Sequence, residues 1–218
     1  MLNQPKILQK AIEELDNVVG RERLVQESDI PKLNYVKACL REGFRLHPIV
    51  DFNVPHVSME DTIVANYFIP KGSHVLIRRQ GIGHNPRVWD EPLKFKPERH
   101  LKKDGRELTL SEPNLELFTF GTGRRGCPAS TLGTTVTVML FARLVHGFTW
   151  IPPPNEPIID LSELENITMK AKPLVALGKP RLPAKRVCSR SDNSDLHQPC
   201  SCILNMVLEL ETDLPWFS

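Results

Sequence analysis

Cys127 closes a glycine-rich loop, Phe120-Gly-Thr-Gly-Arg-Arg-Gly-Cys127, that leads into a stretch of helical pattern. A thiolate at such a position can bind a metal, because the positive end of the helix dipole and the free backbone amides favour the deprotonated sulfur. The glycines of the same loop, Gly121, Gly123 and Gly126, allow a second interpretation, in which the backbone cradles the phosphates of a nucleotide. The loop therefore predicts either a thiolate ligand for a metal centre or a phosphate-binding turn.

The spacing of these glycines, G-x-G-x-x-G, is the nominal fingerprint of a dinucleotide-binding turn between a strand and a helix. That fingerprint requires an acidic residue about 20 positions later, which holds the ribose hydroxyl. No aspartate or glutamate occurs between residues 117 and 155. The helical stretch is also followed by Pro152-Pro153-Pro154 instead of a second parallel strand. The sequence therefore disfavours a dinucleotide-binding module.

A haem bound through Cys127 explains more residues of the loop. An axial thiolate pushes electron density into haem iron and favours cleavage of the O–O bond. Gly123 and Gly126 let the backbone approach the flat porphyrin, and Phe120 offers an apolar face to the ring. Arg125 can pair with a haem propionate, a carboxylate that matches the guanidinium fork. We expect haem b with Cys127 as its axial ligand.

The same segment resembles the haem-binding motif of the cytochrome P-450 superfamily, F-x-x-G-x-R-x-C-x-[GA], at Phe120, Gly123, Arg125, Cys127 and Ala129. Five matching positions before a helix make this a specific signal. The resemblance covers residues 1–187 and implies the C-terminal part of the P-450 fold, mainly α-helical with a small β subdomain. It also implies a haem-dependent monooxygenase that uses dioxygen and electrons from an NADPH-dependent flavoprotein reductase.

Glu42 and Arg45 stand three positions apart in a helical stretch, so their side chains share one face and can pair. Most such pairs are solvated and carry little information alone. In the P-450 family, however, an E-x-x-R pair joins the arginine of a P-E-R motif in a buried cluster, and that motif occurs here as Pro97-Glu98-Arg99. The resemblance implies a structural charged cluster of Glu42, Arg45 and Arg99. His100 follows where phenylalanine is commoner in the family.

His56 begins a stretch of strand pattern, directly after Val54-Pro55. An ordinary surface histidine would explain it. In the P-450 family this position often holds a basic residue that faces a haem propionate, so the resemblance implies that role for His56. It also implies that residues 50–54 line the substrate side of the haem, where Asp51 and Asn53 would meet either a polar substrate or solvent.

The elements that position these residues begin with three helices, predicted from hydrophobic periodicity. The first covers residues 5–19 and ends at Gly20, and the second covers residues 34–46 and ends before His47-Pro48. The third covers residues 129–146 and follows the cysteine loop. Four of its apolar residues recur on one stripe of the helix: Leu132, Val136, Leu140 and Leu144.

Strands are predicted around these helices. Residues 62–65 and 73–77 have strand character, and Pro70-Lys71-Gly72 is predicted to turn the chain so that the two strands pair. Residues 115–120 have the character of a strand leading into the cysteine loop. Two further short strands are predicted within residues 166–178.

Composition and charge exclude several classes of protein. The 218 residues are 40% hydrophobic and 25% charged with a net charge of +2, which is typical of a globular protein and not of one that binds nucleic acid. The five cysteines form no regular disulfide framework. No signal peptide and no apolar stretch long enough to span a bilayer is present. The resemblance implies the cytosolic face of the endoplasmic reticulum membrane for the full-length family, whereas this chain, with no anchor of its own, is expected in the cytosol.

Two segments have an undecided role. The basic cluster of Lys94, Lys96, Lys102, Lys103 and Arg106 is either a solvated face or, by the resemblance, part of a docking surface for an acidic electron-transfer partner. Residues 188–218 differ from the rest in charge and hold three of the five cysteines. We expect this tail to be unrelated to the P-450 domain, either disordered or the result of a mis-assembled coding sequence.

Within the superfamily the chain is most similar to the plant amino-acid N-monooxygenases, in the stretches at residues 37–48, 52–57, 70–75 and 147–150. Those enzymes hydroxylate an amino-acid nitrogen twice and release an aldoxime in plant specialised metabolism, so the resemblance implies an amino acid as the small-molecule substrate. The family's distal helices and its oxygen-activating acid–alcohol pair are not in this sequence. The alternative is therefore a truncated, catalytically inactive remnant or a partial gene product that at most binds haem.

Overall fold

The computed structural model describes residues 1–102, 104–111, 115–163 and 172–183. Four α-helices lie in these ranges: α1 (Pro5–Val19), α2 (Asn34–Leu46), α3 (Arg79–Gly83) and α4 (Ser130–Gly147). The strands are short and pair two by two: β1 (His56–Val57), β2 (Thr62–Val64), β3 (Tyr67–Ile69), β4 (His74–Val75), β5 (Phe148–Ile151) and β6 (Leu177–Pro180). The predicted architecture, mainly helical with a small β part, is confirmed.

Helix α1 follows from an amphipathic pattern that buries Ala11, Leu15 and Val19 on one face. Pro5 occupies the first helical position, where its missing N–H costs nothing. Gly20 ends the helix at a φ of 78°, and its N–H donates to the carbonyl of Asp16 at 3.0 Å. The predicted bounds of α1 are confirmed.

Helix α2 lies against α1 and is capped by it. The carboxylate of Glu14 on α1 accepts the backbone N–H groups of Tyr35 and Val36 at 2.7 and 2.9 Å. The first N–H groups of a helix have no partner within the helix, so this carboxylate satisfies two of them. Burial raises the pKa of Glu14 and these hydrogen bonds oppose that rise. The contact fixes the start of α2, whose predicted bounds are confirmed, relative to α1.

Helix α4 completes the core. Val138, Ala142 and Val145 are buried, and Ala142 and Val145 belong to the core cluster with residues of α1 and α2, whereas Leu132 and Leu140 are 68% and 59% exposed. The face that α4 turns to the core is therefore not the stripe that contains Leu132 and Leu140. The small side chains on the buried face let the helices approach closely. The regular spacing of the large apolar residues in the sequence could not show that this other face is the one that packs against the core.

The strand pairing also differs from the prediction. β2 and β3 form an antiparallel hairpin, and β4 pairs with β1 instead of β2. Ala65 and Asn66 connect β2 to β3 with φ angles of 48° and 68°, the combination that a tight hairpin turn requires. The turn at residues 70–72 exists, but it joins strands that belong to different pairs. The predicted pairing of residues 62–65 with 73–77 was wrong because the Ala65-Asn66 turn closes a hairpin first.

Of the remaining strand predictions, the structure confirms one in part and contradicts another. β5 follows α4 directly and pairs antiparallel with β6, and the indole of Trp150 donates to the carbonyl of Leu144 at 2.8 Å. α4 therefore ends at Gly147, before the three prolines. Residues 115–120 are irregular instead of a strand, and Phe118 has a φ of 53°. Of the two strands expected in 166–178, β6 overlaps the end of the range, and residues 164–171 lie outside the described residues.

No helix in the described ranges is both long and apolar enough to cross a bilayer. The tail at residues 188–218 lies outside the described residues, so the expectation for it stays a prediction.

Candidate functional site

Cys127 lies at the end of a closed loop that precedes α4. The N–H of Cys127 donates to the carbonyl of Phe120 at 2.8 Å, so the six residues between them form a ring. Gly121 and Gly123 adopt φ angles of 72° and 67°, the left-handed region that favours glycine. A Cβ added at Gly126 would lie 3.3 Å from the carbonyl oxygen of Gly123. The glycines are therefore required by the loop itself, and they leave the Cys127 side chain exposed.

An aromatic contact joins this loop to helix α2. The rings of Phe120 and Phe44 meet edge to face, with centroids 6.3 Å apart and an interplanar angle of 84°. Edge-to-face aromatic pairs contribute roughly 0.5–1.5 kcal/mol beyond the burial of their surface. Because Phe44 lies between Glu42 and Arg45 in sequence, one helix turn contacts the cysteine loop and also carries the predicted charged cluster.

Glu42 and Arg45 form a bidentate ion pair in which both side chains are fully buried. Nε and Nη2 of Arg45 donate to the two carboxylate oxygens of Glu42, each at 2.8 Å. Nε of Arg99 donates to the same carboxylate at 3.2 Å, and so does the N–H of Lys96, at 2.8 Å. Burial would raise the pKa of Glu42, but the hydrogen bonds from Arg45 and His100 outweigh it and lower the pKa to about 2. The structure thus brings Glu42, Arg45 and Arg99 together.

The same arginines fasten the segment between α3 and residue 99 onto helix α2. Nη1 of Arg45 donates to the carbonyls of Gly83 and Pro92 at 2.5 and 2.6 Å. Nη1 of Arg99 donates to the carbonyl of Asp90 at 2.8 Å. Because these donors belong to cations, each bond is stronger than a neutral one. The cluster therefore sets the path of the segment that leads toward the cysteine loop.

His100 is a member of this cluster that the sequence interpretation missed. Its Nε2 lies 2.7 Å from Oε2 of Glu42, and its side chain is 4% exposed. Its ring also meets Trp89 edge to face at 5.8 Å, and the guanidinium of Arg45 lies over the same indole at 5.2 Å. The available signal was the histidine in the P-E-R-H stretch, at a place where the family more often has an apolar ring.

Arg125 and His56, predicted to hold propionates, are both exposed. Arg125 ends the short 3-10 turn Gly123–Arg125, and His56 begins β1, where it pairs with Val75 of β4. Within the described residues neither side chain forms a hydrogen bond or an ion pair. Both are free to bind an external group, and their role toward haem stays a prediction.

Arg79 is a second residue that the sequence interpretation did not identify. It begins α3, and its N–H donates to the carbonyl of Asp51 at 2.7 Å. Burial lowers the pKa of this guanidinium, and the negative charge of a Cys127 thiolate would raise it again. Arg79 therefore lies within electrostatic reach of Cys127. No motif marks it in the sequence.

The polar residues expected on the substrate side have different environments. Asn53 is buried, where its side chain accepts the N–H of Ile77 and donates to the carbonyl of Val54 at 2.9 Å. Asp51 accepts from Nε of Arg78 at 3.3 Å. Asn53 therefore joins two backbone segments and is not available to a substrate.

The basic cluster is partly neutralised by neighbouring acids. Lys94 and Lys96 both pair with Glu91, and Arg106 pairs with Asp104. Lys103 lies outside the described residues. A docking role for this surface stays a prediction.

The family model for cytochrome P-450 matches residues 1–177 of the chain. The chain belongs to the cytochrome P-450 family. A solved structure of a zebrafish cytochrome P-450 with progesterone superimposes with a TM-score of 0.70 at 29% identity, over 83% of this chain and 39% of that one. The predicted fold is thereby confirmed, and haem is the cofactor that the P-450 family implies.

Plant N-monooxygenases of this family are the curated relatives with high identity. A phenylalanine N-monooxygenase of Prunus mume is 65% identical over 84% of this chain and 34% of its own length. A tyrosine N-monooxygenase of Sorghum bicolor and a tryptophan N-monooxygenase of Arabidopsis thaliana are each 60% identical over 84% of this chain. The predicted resemblance to the amino-acid N-monooxygenases is confirmed. The chain spans about a third of the length of these relatives.

The residues of the P-450 loop fit a haem. Cys127 is exposed at the end of a backbone ring that glycines keep open, and the exposed guanidinium of Arg125 lies two positions away. Nearby, Nε of Arg79 is buried and has no hydrogen-bond partner among the described residues. An unpaired buried donor near an exposed thiol is the arrangement expected where an anionic cofactor binds.

Proposed function

We propose that this chain is the haem-binding part of an amino-acid N-monooxygenase, in which Cys127 is the axial ligand of haem b. The single observation that carries the proposal is the exposed thiol of Cys127 on a glycine-bounded loop directly before helix α4. Support for the substrate class comes from the relatives, which are named for N-monooxygenation of phenylalanine, tyrosine and tryptophan. When bound, haem would supply the iron at which dioxygen is activated for monooxygenation of the substrate.

Each part of the site has a role in this proposal. The loop between Phe120 and Cys127 places the sulfur before α4, since the positive φ angles of its glycines permit the turn and its closing hydrogen bond restrains it. Phe120 covers the ring, and Arg125 and His56 pair with the propionates. Glu42, Arg45 and Arg99 touch neither substrate nor iron. They hold the segment that leads to the loop and are therefore positioning residues.

The full-length protein in this proposal receives electrons from an NADPH-dependent flavoprotein reductase at the cytosolic face of the endoplasmic reticulum membrane. The mixed-charge surface around Lys94 and Lys96 supports docking of an acidic partner only weakly, because both lysines are paired with Glu91.

The proposal is tested by the carbon-monoxide difference spectrum of the reduced chain, expressed with haem supplied. Cys39→Ala is the matched control for Cys127→Ala, because Cys39 is 3% exposed in the core and burial raises the pKa of its thiol to about 12. We expect a thiolate-type Soret band in the wild-type chain and in Cys39→Ala, and its loss in Cys127→Ala. A chain that takes up no haem, or a band that survives Cys127→Ala, would contradict the proposal.

A further inference from the structure

Arg79 and Arg78 are neighbours in sequence with opposite environments. Arg78 is exposed, and its guanidinium bonds to Asp51 at 3.3 Å and to Gln80 at 2.9 Å. Arg79 is half-buried, and it is held in place by its own N–H, which donates to the carbonyl of Asp51 at 2.7 Å. The backbone therefore directs one arginine to solvent and the other into the protein.

The buried part of Arg79 has no satisfying partner. Its Nε has no accessible surface and no hydrogen-bond acceptor, and no carboxylate among the described residues forms an ion pair with this guanidinium. Oδ1 of Asp51 is also buried without a partner, so the two groups do not satisfy each other. A buried donor that makes no hydrogen bond destabilises the folded chain by about 1–3 kcal/mol, and by more when it is charged. An arginine cannot avoid this cost by losing its proton.

The side chain of Cys127 lies within electrostatic reach of Arg79. Burial lowers the pKa of the guanidinium, and a charged Cys127 side chain is the opposing influence. The missing partner of Arg79 therefore belongs on the side of the protein where Cys127 is exposed. If a haem binds at Cys127, it brings negative charge there in two forms, the iron-bound thiolate and the carboxylates of the porphyrin.

We propose that Arg79 is a cofactor-positioning residue, which holds an anion of the haem site, either the thiolate or a porphyrin carboxylate. This inference rests on the proposed haem function of Cys127. It adds a third residue to Arg125 and His56, and it differs from them because its Nε donor is already buried before an anion binds. Binding of the cofactor then removes an existing penalty.

The first experiment is a hemin titration of the haem-free 218-residue chain, followed by Soret absorbance, with Arg79→Met and Arg78→Met as a matched pair. We expect Arg79→Met to bind hemin roughly tenfold or more weakly, the factor that corresponds to a lost charged hydrogen bond. Arg78→Met should bind as the wild type does. Arg79→Lys, which keeps the charge without the Nε donor, should lie in between.

A stability measurement separates this role from a structural one. Because Arg79→Met removes a buried Nε donor that has no hydrogen-bond partner, the haem-free variant should unfold at the same or a higher urea concentration than the wild-type chain. A haem-free Arg79→Met chain that is clearly less stable would show that Arg79 serves the fold, and it would overturn the inference.

Hemin and its dimethyl ester distinguish the two anions. If Arg79 holds a porphyrin carboxylate, Arg79→Met should weaken binding of hemin and leave binding of the ester, whose carboxyl groups carry no charge, unchanged. If it faces the thiolate, Arg79→Met should weaken the binding of hemin and of the ester equally. The thiolate-type band of the carbon-monoxide complex should then also diminish. Equal affinities of Arg79→Met and Arg78→Met for both ligands would overturn the inference while leaving the proposed function intact. Absence of haem uptake by the wild-type chain would instead remove both.

Discussion

Nε2 of His100 lies 2.7 Å from Oε2 of Glu42, in a place where both side chains are excluded from water. The carboxylate of Glu42 also accepts from Arg45, Arg99 and the backbone of Lys96, so its oxygens are fully used. Partial satisfaction of such a buried network would be costly, whereas full satisfaction specifies one arrangement of the chain. His100 therefore contributes to a cluster whose three other side chains the sequence pattern already marks.

The first prediction concerns the dependence of stability on pH. Burial lowers the pKa of His100 from 6.5 against the opposing effect of Glu42, with Arg41 and Arg45 adding to the lowering. The unfolded chain therefore binds a proton at this histidine more readily than the folded chain does, so the contribution of His100 to the free energy of unfolding falls as the pH decreases below 6.5 and stops changing below the folded-state pKa. Urea unfolding across this window should show the loss, and His100→Phe should reduce it.

Two variants control this prediction. Burial also lowers the pKa of His146, so part of the pH dependence should remain in His100→Phe. His74→Gln, on the exposed strand β4, is the surface variant with which the slope of His100→Phe is compared. A His100→Phe chain with the full wild-type slope would show that His100 is not the titrating group.

The second prediction concerns the buried charge of Glu42. Glu42→Gln keeps the shape but leaves Arg45 as an uncompensated buried cation, a change that costs about 3–5 kcal/mol. The free energy of unfolding, measured with urea, should fall by that amount. Glu22→Gln on the exposed surface is the control and should change it by less than about 0.5 kcal/mol. A small effect at Glu42 would mean that the pair contributes specificity and little stability.

The third prediction compares two glycines that have opposite surroundings. A Cβ at Gly83 would lie 2.1 Å from the carbonyl oxygen of Arg45, so Gly83→Ala must push α3 away from α2. A Cβ at Gly43 would meet nothing within 4 Å, so Gly43→Ala should stabilise helix α2 by up to about 1 kcal/mol. Thermal unfolding should therefore shift downward for Gly83→Ala and upward for Gly43→Ala. Equal shifts would contradict the close approach of the two helices.

The fourth prediction concerns the contact between Phe44 and Phe120. In a double-mutant cycle with Phe44→Leu and Phe120→Leu, we expect a coupling free energy of about 1 kcal/mol, because the rings meet edge to face. Phe44→Leu should also weaken haem binding, although Phe44 is not in the loop. Phe148→Leu, whose ring contacts Trp150 far along the chain, should leave haem binding unchanged. If the two substitutions lower the free energy of unfolding additively, the contact between Phe44 and Phe120 does not stabilise the loop.

The sequence determined the cysteine loop and the three long helices for local reasons. The positive φ angles of Gly121 and Gly123 and the start of α4 after Cys127 depend on neighbours within a few residues. The bounds of α1 and α2 follow from periodicity and from Gly20 and His47, which act within one helical turn. Glu42, Arg45 and Arg99 were marked by their spacing and order, so their meeting could be anticipated once the family pattern was recognised.

Only the tertiary structure decided which faces and which partners these elements have. The buried face of α4 depends on how closely α1 and α2 approach it, and small side chains such as Ala142 permit this approach. The pairing of β4 with β1 depends on the Ala65-Asn66 turn, which closes the competing hairpin first. His100 and Arg79 gain their roles from residues 58 and 48 positions away in sequence. Whether a polar group is buried, and which group it contacts, depends on how distant parts of the chain pack together. A local sequence pattern therefore could not predict either.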